Sequence, residues 1–322
     1  MNKIFTLLLL GSVALPGAAL AAVITNGTVT LGVNDAGNLN VPGTLSGAGT
    51  TSYVGLRDNA TNYEATADGC LCEGWGVGIG ESLVSGFANQ DRGGSVGLTQ
   101  VSFISDASTA TSVTELGSSL RVTHTFTPSA DSHLYQVAVK IENIGAVAVS
   151  DLRYTRVMDW DVEPTAFSEY VTIGGTAAAS AVLFASDDGF QSGDPFAAHS
   201  QIAASGDFTD SGVADHGALF DFAFGALAAG ATYDFKIFYG AAQGEDVALN
   251  ALNAVGAEVY SFGQSSDNMD GSTPGRPTFI FGFSGVGGVV VPPSEVPVPA
   301  SALLLLGGVG MLSGLRLRRK NA

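Results

Sequence analysis

The sequence is poor in basic residues and in histidine. Its 322 residues include 13 Lys and Arg against 30 Asp and Glu, and only 4 histidines, which are scattered along the chain. This excess of negative charge argues against nucleic acid and anionic membrane surfaces as partners. The sequence also lacks the His-Glu-x-x-His zinc motif, the phosphate-binding P-loop and the Gly-x-Gly-x-x-Gly nucleotide motif. We therefore expect a protein that is not an enzyme.

Cysteine is limited to Cys70 and Cys72, in a glycine-rich stretch close to Trp75. In an oxidising compartment two such thiols are expected to pair. A Cys70–Cys72 disulfide closes a very small loop and gains little from loop entropy. Two alternatives stay open: a metal pair completed by other ligands, although two cysteines are too few for a structural zinc site, or two free thiols.

Segments with helical periodicity are scarce, whereas many segments alternate apolar and polar residues between glycine-rich turns. We expect an all-β body over residues 22–284, an antiparallel β-sandwich that forms either one large sandwich or two. The most regular alternation predicts a hairpin over residues 133–162, and an aromatic-rich pattern predicts a second hairpin over residues 218–239. One short helix is predicted over residues 245–259, with acidic residues in its first turn.

Asp159 and Asp161 lie two residues apart at the end of the first predicted hairpin. Side chains at such positions of a strand share one face and are about 6.5–7 Å apart. That spacing suits a Ca²⁺ site or a pair of catalytic carboxylates of the glycosidase kind. The alternative is ion pairing with Arg153 or Arg156 on the sheet surface. Two further acids that favour the cation lie close by in the sequence, Glu163 and Glu169.

Two glycine-rich turns also carry several acids. The first contains Asp187, Asp188 and Asp194, and the second contains Asp267 and Asp270. Carboxylates in loops of this kind bind Ca²⁺, so calcium is the one cofactor that the sequence suggests. Neither turn has the spacing of an EF-hand loop, and Asp is also an ordinary turn residue. The alternative is a plain solvated turn in each case.

Residues 1–21 have the pattern of a signal peptide. Lys3 precedes an apolar stretch from Ile4 to Leu15, and Ala19-Leu20-Ala21 supplies the small residues that signal peptidase requires. Five of the 13 basic residues lie in this segment and in the C-terminal tail. The exported region between them keeps 8 basic residues and all 30 acidic ones, which gives it a net charge of −22.

The C-terminal segment, residues 296–322, has three parts in a fixed order. It begins with a proline motif, Val296, Pro297, Val298, Pro299, Ala300 and Ser301. An apolar run over residues 302–315 follows, about 21 Å long as a helix, and predicts a short transmembrane helix. Four basic residues then keep the C-terminus in the cytoplasm, Arg316, Arg318, Arg319 and Lys320. A glycine- and proline-rich linker, residues 285–295, is predicted to hold the body away from the membrane.

The proline motif, the apolar run and the basic end together resemble the PEP-CTERM sorting domain of exopolysaccharide-producing Gram-negative bacteria. The resemblance covers about 27 of the 322 residues. It departs from the family pattern at Val298, where that family most often has Glu. The resemblance implies that the inner membrane holds the chain transiently and that a membrane protease, exosortase, then cuts it at the motif.

These features predict an exported, non-enzymatic protein of the cell surface or extracellular matrix, with a structural or interaction role in an exopolysaccharide or biofilm layer. Signal peptidase and exosortase would process it, and extracellular polysaccharide is a candidate partner. Two alternatives stay open. One is a carbohydrate-binding module that uses Trp75 and Trp160, and the other is a polysaccharide-active hydrolase built on Asp159 and Asp161.

Overall fold

The body of the protein is built almost entirely of antiparallel strands. The computed structural model describes residues 21–43, 52–70, 72–88 and 94–294, so the predicted signal sequence before residue 21 and the sorting tail lie outside the described residues. In chain order the strands are β1 (Ala21–Thr25), β2 (Val29–Asn34), β3 (Val41–Pro42), β4 (Tyr53–Val54), β5 (Leu56–Asp58), β6 (Glu73–Ile79), β7 (Val84–Ala88), β8 (Ser95–Val96), β9 (Leu98–Ser105), β10 (Ala110–Leu116), β11 (Leu120–Pro128), β12 (Leu134–Asn143), β13 (Val149–Trp160), β14 (Glu169–Gly174), β15 (Val182–Ser186), β16 (Phe208–Ala214), β17 (His216–Leu227), β18 (Thr232–Ala242), β19 (Val259–Ser265) and β20 (Thr278–Ser284). Each of these strands pairs antiparallel to its neighbours, which confirms the all-β prediction.

The strands form two large sheets and two small ones. The larger sheet has nine strands in the order β16-β14-β19-β20-β18-β12-β11-β10-β9. The second has six strands in the order β15-β17-β13-β6-β7-β8. The small sheets are β1-β2-β5 and β3-β4. Several neighbours in the large sheets are far apart in sequence, so the chain passes repeatedly from one sheet to the other.

The two large sheets pack face to face over an aromatic core. Along β12, Val137 and Ile141 are fully buried whereas Lys140 is exposed, as expected when one face of a strand points into a core. Between the sheets, Phe220 of β17 meets Phe283 of β20 edge to face, with ring centroids 5.0 Å apart. One contiguous cluster of buried apolar residues includes members of both large sheets, as in a β-sandwich.

Both predicted hairpins are wrong as pairings, although their strands exist. β12 pairs with β11 and β18, and β13 pairs with β6 and β17, so the two strands lie in different sheets. β17 and β18 are separated in the same way. Their aromatic residues, such as Phe222 and Phe235, meet across the sandwich with ring centroids 6.4 Å apart. A short connection can close a hairpin or cross between sheets, and the alternation of residues is the same in both cases.

The α-helix in the described residues begins at the predicted residue but ends earlier. Helix α1 spans Glu245–Ala254, and Val259, the predicted end, is instead the first residue of β19. Gly256 has a φ of 70°, a left-handed conformation that commonly ends a helix. The helix packs through Leu252 on the outer face of the nine-stranded sheet. The described residues also include one 3-10 turn, Thr176–Ala178.

Residues 285–294, which the sequence assigns to a linker, pack on the body. Val286 is fully buried, and its N–H group donates to the carboxylate of Glu258 at 2.9 Å. Near the end of this segment, the N–H group of Ser294 donates to Oδ1 of Asn250 on α1 at 3.2 Å. The described part of the predicted linker is therefore docked on the body and is not a free spacer.

Within the described residues, the structure contains no helix that is both long and apolar enough to span a membrane. The predicted transmembrane run at residues 302–315 lies outside them.

Candidate metal centre

Four carboxyl groups meet at one end of the sandwich, those of Asp159, Asp161, Glu169 and Asp215. Asp159 is the penultimate residue of β13, and Asp161 directly follows that strand. Glu169 opens β14 of the nine-stranded sheet. Asp215 is the single residue between β16 and β17, where the chain passes from one large sheet to the other. We call these four residues the carboxylate cluster; both sheets contribute to it.

Strand register explains why these acids converge. Trp160 is paired with His216, so Asp161 and Asp215 occupy the next positions on two adjacent chains. Glu169 is paired with Ala214, directly beside Asp215. As a result, carboxylate oxygens of Asp159, Asp161 and Asp215 all lie within 4.8 Å of one another. This is closer than the 6.5–7 Å expected for side chains on a regular strand, and Asp161 lies just beyond the last residue of β13.

The cluster is buried and short of hydrogen-bond donors. Asp161 is fully buried, yet neither of its carboxylate oxygens has a hydrogen-bond partner. Asp159 is 1% exposed; its Oδ1 also lacks a partner, and its Oδ2 lies 3.6 Å from Sγ of Cys70, a disulfide sulfur with no hydrogen to donate. Glu169 accepts the N–H group of Val162 at 3.2 Å through Oε1, and its Oε2 has no partner. Buried carboxylates without donors are costly, so these oxygens require a proton or a cation.

Burial and mutual repulsion act in the same direction on these acids. Burial is the largest cause of the raised pKa of Asp161, and the charges of Asp159 and Glu169 raise that pKa further. Burial likewise raises the pKa of Asp159, and the charges of Asp215 and Asp188 add to it. Burial, assisted by the charge of Asp159, raises the pKa of Glu169 to about 9. Without a positive partner the four groups do not ionise together at neutral pH.

No basic side chain of the described residues forms an ion pair with the carboxylate cluster. The expectation that Asp159 and Asp161 pair with Arg153 or Arg156 is therefore wrong. Nε of Arg153 binds Asp151, its nearer neighbour on the same face, at 2.6 Å. Arg156 points to the opposite face and binds Glu73 at 2.6 Å inside the core.

A disulfide bond between Cys70 and Cys72 lies beside the cluster. The carbonyl of Cys72 accepts the N–H group of Asp159 at 2.8 Å, and the carbonyl of Ala65 accepts that of Asp161 at 2.8 Å. The chain around the cysteines therefore runs along the end of β13 and covers the carboxylates. Since disulfide sulfurs are not thiolates, they are not metal ligands, and the cluster offers oxygen atoms only.

The first acidic turn predicted to bind calcium uses its carboxylates internally. Asp187 is fully buried and accepts the backbone N–H groups of residues 202–204 at 2.9–3.1 Å. Asp188 and Asp194 accept hydrogen bonds from side chains or backbone of their own loop. These bonds fix the conformation of the loop, which is the usual role of Asp in turns.

The second acidic turn has partners as well. Asp267 forms an ion pair with Nε of Arg276 at 2.8 Å. Asp270 accepts hydrogen bonds from the backbone and hydroxyl of Ser272. Among the described residues, neither acidic turn contributes to a group of three or more closely spaced metal-ligand side chains. The structure thus concentrates the unpartnered carboxylates in the cluster and not in the predicted turns.

Both tryptophans are fully buried. Nε1 of Trp75 donates to the carbonyl of Ala36 at 2.9 Å, and Nε1 of Trp160 donates to Oγ of Ser261 at 3.1 Å. Their rings are part of the core between the sheets, so neither can stack on a sugar from solvent.

The sequence also contains one Gly-x-Ser-x-Gly pattern, at residues 93–97, which is the pattern of a hydrolase nucleophile elbow. That elbow places its serine at a sharp turn from a strand into a helix. Ser95 instead lies in the two-residue strand β8, which is followed by strand β9. The pattern is therefore not an elbow here.

Two chemical roles suit a cluster of carboxylates. An acid–base pair must be reached by substrate and water, which the burial of Asp159 and Asp161 prevents. A hard cation such as Ca²⁺ binds oxygens at 2.3–2.6 Å, so two of its ligands are at most about 5.2 Å apart. The observed limit of 4.8 Å between one oxygen each of Asp159, Asp161 and Asp215 satisfies this condition. The geometry therefore favours a cation site.

Comparison with known proteins does not assign the chain to a family, since no family model and no curated protein matches it. Sequence reasoning identified Asp159 and Asp161 and noted Glu169 nearby, but it missed Asp215. Only the pairing of β13 with β17, which joins residues more than fifty positions apart, brings Asp215 to the site.

Proposed function

We propose that the mature protein is an exported, non-enzymatic β-sandwich with a structural or interaction role at the cell surface or in the extracellular matrix, within an exopolysaccharide or biofilm layer. In this proposal signal peptidase removes residues 1–21, and exosortase processes the chain at residues 296–301 while the inner membrane holds it. The order of proline motif, apolar run and basic end in the sequence supports this route.

One observation supports the non-enzymatic part above all. The tryptophans and aspartates that the sequence suggests for sugar binding or hydrolysis are buried in the interior of the protein. Trp75 and Trp160 are 0% exposed, and Asp159 and Asp161 are 1% and 0% exposed. A polysaccharide chain cannot reach them from solvent. The alternatives of a carbohydrate-binding module through these tryptophans and of a hydrolase through these aspartates therefore gain no support from the geometry.

The charge of the body also suits a matrix. Between the predicted cleavage sites the chain has a net charge of −22. Such a surface concentrates cations around it, and divalent cations can bridge it to acidic polysaccharides. The partner in this proposal is therefore a polyanionic polysaccharide held through cations.

The route can be tested in a host that carries an exosortase. We expect antibody against the body to find the processed protein at the surface or in the matrix fraction, and its intact mass should match a chain that begins at Ala22 and lacks residues 316–322. Replacing Pro297 and Pro299 with alanine should retain the protein in the inner membrane.

The matched control replaces Pro292 and Pro293 with alanine, the same change in an exposed pair just outside the motif. This variant should be processed normally. A mature protein that keeps its basic C-terminus in such a host would contradict the proposed processing. Measurable breakdown of the host's polysaccharide by the purified protein would contradict the non-enzymatic role.

A further inference from the structure

We propose that Asp159, Asp161 and Asp215 bind one Ca²⁺ ion at one end of the sandwich, beside Glu169 of the opposite sheet. Asp159 and Asp161 belong to the end of β13, Glu169 to β14 in the opposite sheet, and Asp215 to the crossing between the sheets. The inference concerns binding alone and does not depend on the proposed location of the protein.

Asp161 is fully buried, and its carboxylate has no partner among the described residues. Both of its oxygens lack hydrogen-bond partners, and one of them lies within 4.8 Å of a carboxylate oxygen of Asp159 and of Asp215. Buried carboxylates elsewhere in this protein are treated differently: Asp187 accepts backbone N–H groups, and Glu73 is paired with Arg156. Asp161 has neither kind of partner, and a bound cation supplies one.

The donor set selects the type of metal. The cluster offers carboxylate oxygens, which suit hard cations, whereas zinc sites usually include nitrogen or sulfur ligands. Mg²⁺ demands a near-ideal octahedron at 2.0–2.1 Å and keeps several waters, which a largely buried group of four carboxylates cannot accommodate. Ca²⁺ accepts six to eight oxygens in flexible geometry, and carboxylates that bind through both oxygens help to reach that number.

Access to the site is on the side of Asp215. Asp159, Asp161 and Glu169 are buried, whereas Asp215 is exposed at the corner between β16 and β17. An ion can therefore enter past Asp215, and water can complete its coordination there. The glycines beside the site permit the close approach of the chains: a Cβ atom on Gly217 would lie 2.1 Å from the carbonyl oxygen of Met158.

The test uses the exported protein purified from its host, treated with chelator and dialysed. Isothermal titration with CaCl₂ should show one bound ion, and Ca²⁺ should raise the melting temperature by several degrees through preferential binding to the folded state. Mg²⁺ at equal ionic strength should give a clearly smaller shift. Tb³⁺ is a luminescent substitute for Ca²⁺, and its emission should be sensitised by Trp160, which lies between the ligands Asp159 and Asp161 in the sequence. Adding CaCl₂ should displace the Tb³⁺ and remove this emission.

The decisive variant is Asp161→Asn, which keeps the shape of the side chain and removes one charge. It should weaken Ca²⁺ binding at least about tenfold. It should also raise the melting temperature of the metal-free protein, because it relieves repulsion in the cluster. Asp215→Asn, at the exposed side, should weaken binding without a large effect on folding. The matched control, Asp270→Asn in the exposed acidic turn, should leave binding unchanged.

Equal melting shifts with Ca²⁺ and Mg²⁺, or no heat on titration, would overturn the proposal, because the cluster would then be neutralised by protons alone. Unchanged Ca²⁺ affinity in both Asp161→Asn and Asp215→Asn would overturn it as well, since the ion would then bind elsewhere.

Discussion

Gly263 of β19 lies directly against the indole ring of Trp160, so that a Cβ atom at residue 263 would be 2.4 Å from Cδ2 of the ring. The same indole donates a hydrogen bond to Ser261, two residues earlier on β19. Trp160 sits between Asp159 and Asp161, so this contact also fixes how the end of β13 meets the opposite sheet. Glycine is needed at residue 263 because the sheets would otherwise have to separate.

Gly263→Ala should therefore lower the free energy of unfolding by about 1–3 kcal/mol, the usual cost of adding atoms to a packed core. Urea unfolding at equilibrium measures this. Gly145→Ala is the control, because the nearest atom to its added Cβ, Oδ1 of Asn143, is 3.3 Å away. Equal losses in the two variants would show that the contact with Trp160 is not the cause.

Arg156 and Glu73 form a buried ion pair, so we expect that removing either side chain alone will destabilise the protein strongly. Both side chains are fully excluded from solvent, and Glu73 also accepts the N–H group of Leu39 at 2.6 Å. Arg156→Met leaves a buried carboxylate without its cation and should cost about 3–5 kcal/mol. The double variant Arg156→Met with Glu73→Gln should recover part of that loss in urea unfolding.

The exposed pair of Arg121 and Glu115 serves as the control for this experiment. Its atoms are 2.7 Å apart, but its side chains are 40% and 24% exposed. Arg121→Met should cost less than about 1 kcal/mol. A double variant of the buried pair that loses the sum of both single effects would mean that the two groups do not depend on each other.

His199 predicts a pH dependence of stability. Its Nδ1 lies 2.7 Å from Oδ2 of Asp221 and its Nε2 lies 2.9 Å from the carbonyl of Ser192, so only the protonated ring can donate to both. Burial lowers the pKa of His199, but the hydrogen bond to Asp221 and its charge outweigh burial and raise the pKa above its usual value. Protonated His199 therefore stabilises the folded protein. This stabilisation is complete below pH 6.5 and is lost as the pH rises through the raised pKa of His199.

Urea unfolding at about pH 6 and about pH 9 should therefore show a larger loss of stability in the wild type than in His199→Gln. Burial raises the pKa of Glu64 to about 7, so the contribution of Glu64 to stability also falls as the pH rises. This fall is the same in both proteins and cancels when their pH dependences are compared. An identical pH dependence in the two proteins would contradict the role of His199. A titration of the ring by NMR measures its pKa directly.

The disulfide between Cys70 and Cys72 should contribute little to global stability. It closes a loop of only three residues, for which loop entropy predicts about 1.5 kcal/mol. Replacing both cysteines with serine should lower the free energy of unfolding by about that amount and leave strand content unchanged in circular dichroism. A loss several times larger would show that the bond stabilises the fold through contacts around Asp159.

The sequence predicted single strands well but not their partners. The alternation of apolar and polar residues along β12 predicted which side chains are buried. Val137 and Ile141 must face a core whichever strands lie beside β12. The alternation could not determine whether the next strand lies beside β12 or across from it, because both arrangements bury the same face. The same limit explains the missed Asp215, which reaches the site only through pairing between strands far apart in sequence.

Hydrogen-bond partners were equally hidden from the sequence. Asp187 and Asp161 are both aspartates near glycines or other acids, and the sequence made both of them candidates for calcium. Only the structure distinguishes a carboxylate surrounded by backbone N–H groups from one without donors. The number of acids in a loop therefore says little about cation binding until their other partners are known.

The docking of Ser294 on helix α1 sets the reach of a protease that would act on this chain. From Ser294 to Pro299 there are five residues, which span about 17 Å even when fully stretched. An enzyme embedded in the membrane would thus have to work almost against the surface of the folded body, or detach the segment held by Glu258 and Asn250 first. Glu258→Gln should weaken that docking. The segment between the folded body and the cleavage motif would then be longer, and the protein should be released from the membrane faster although the motif itself is unchanged.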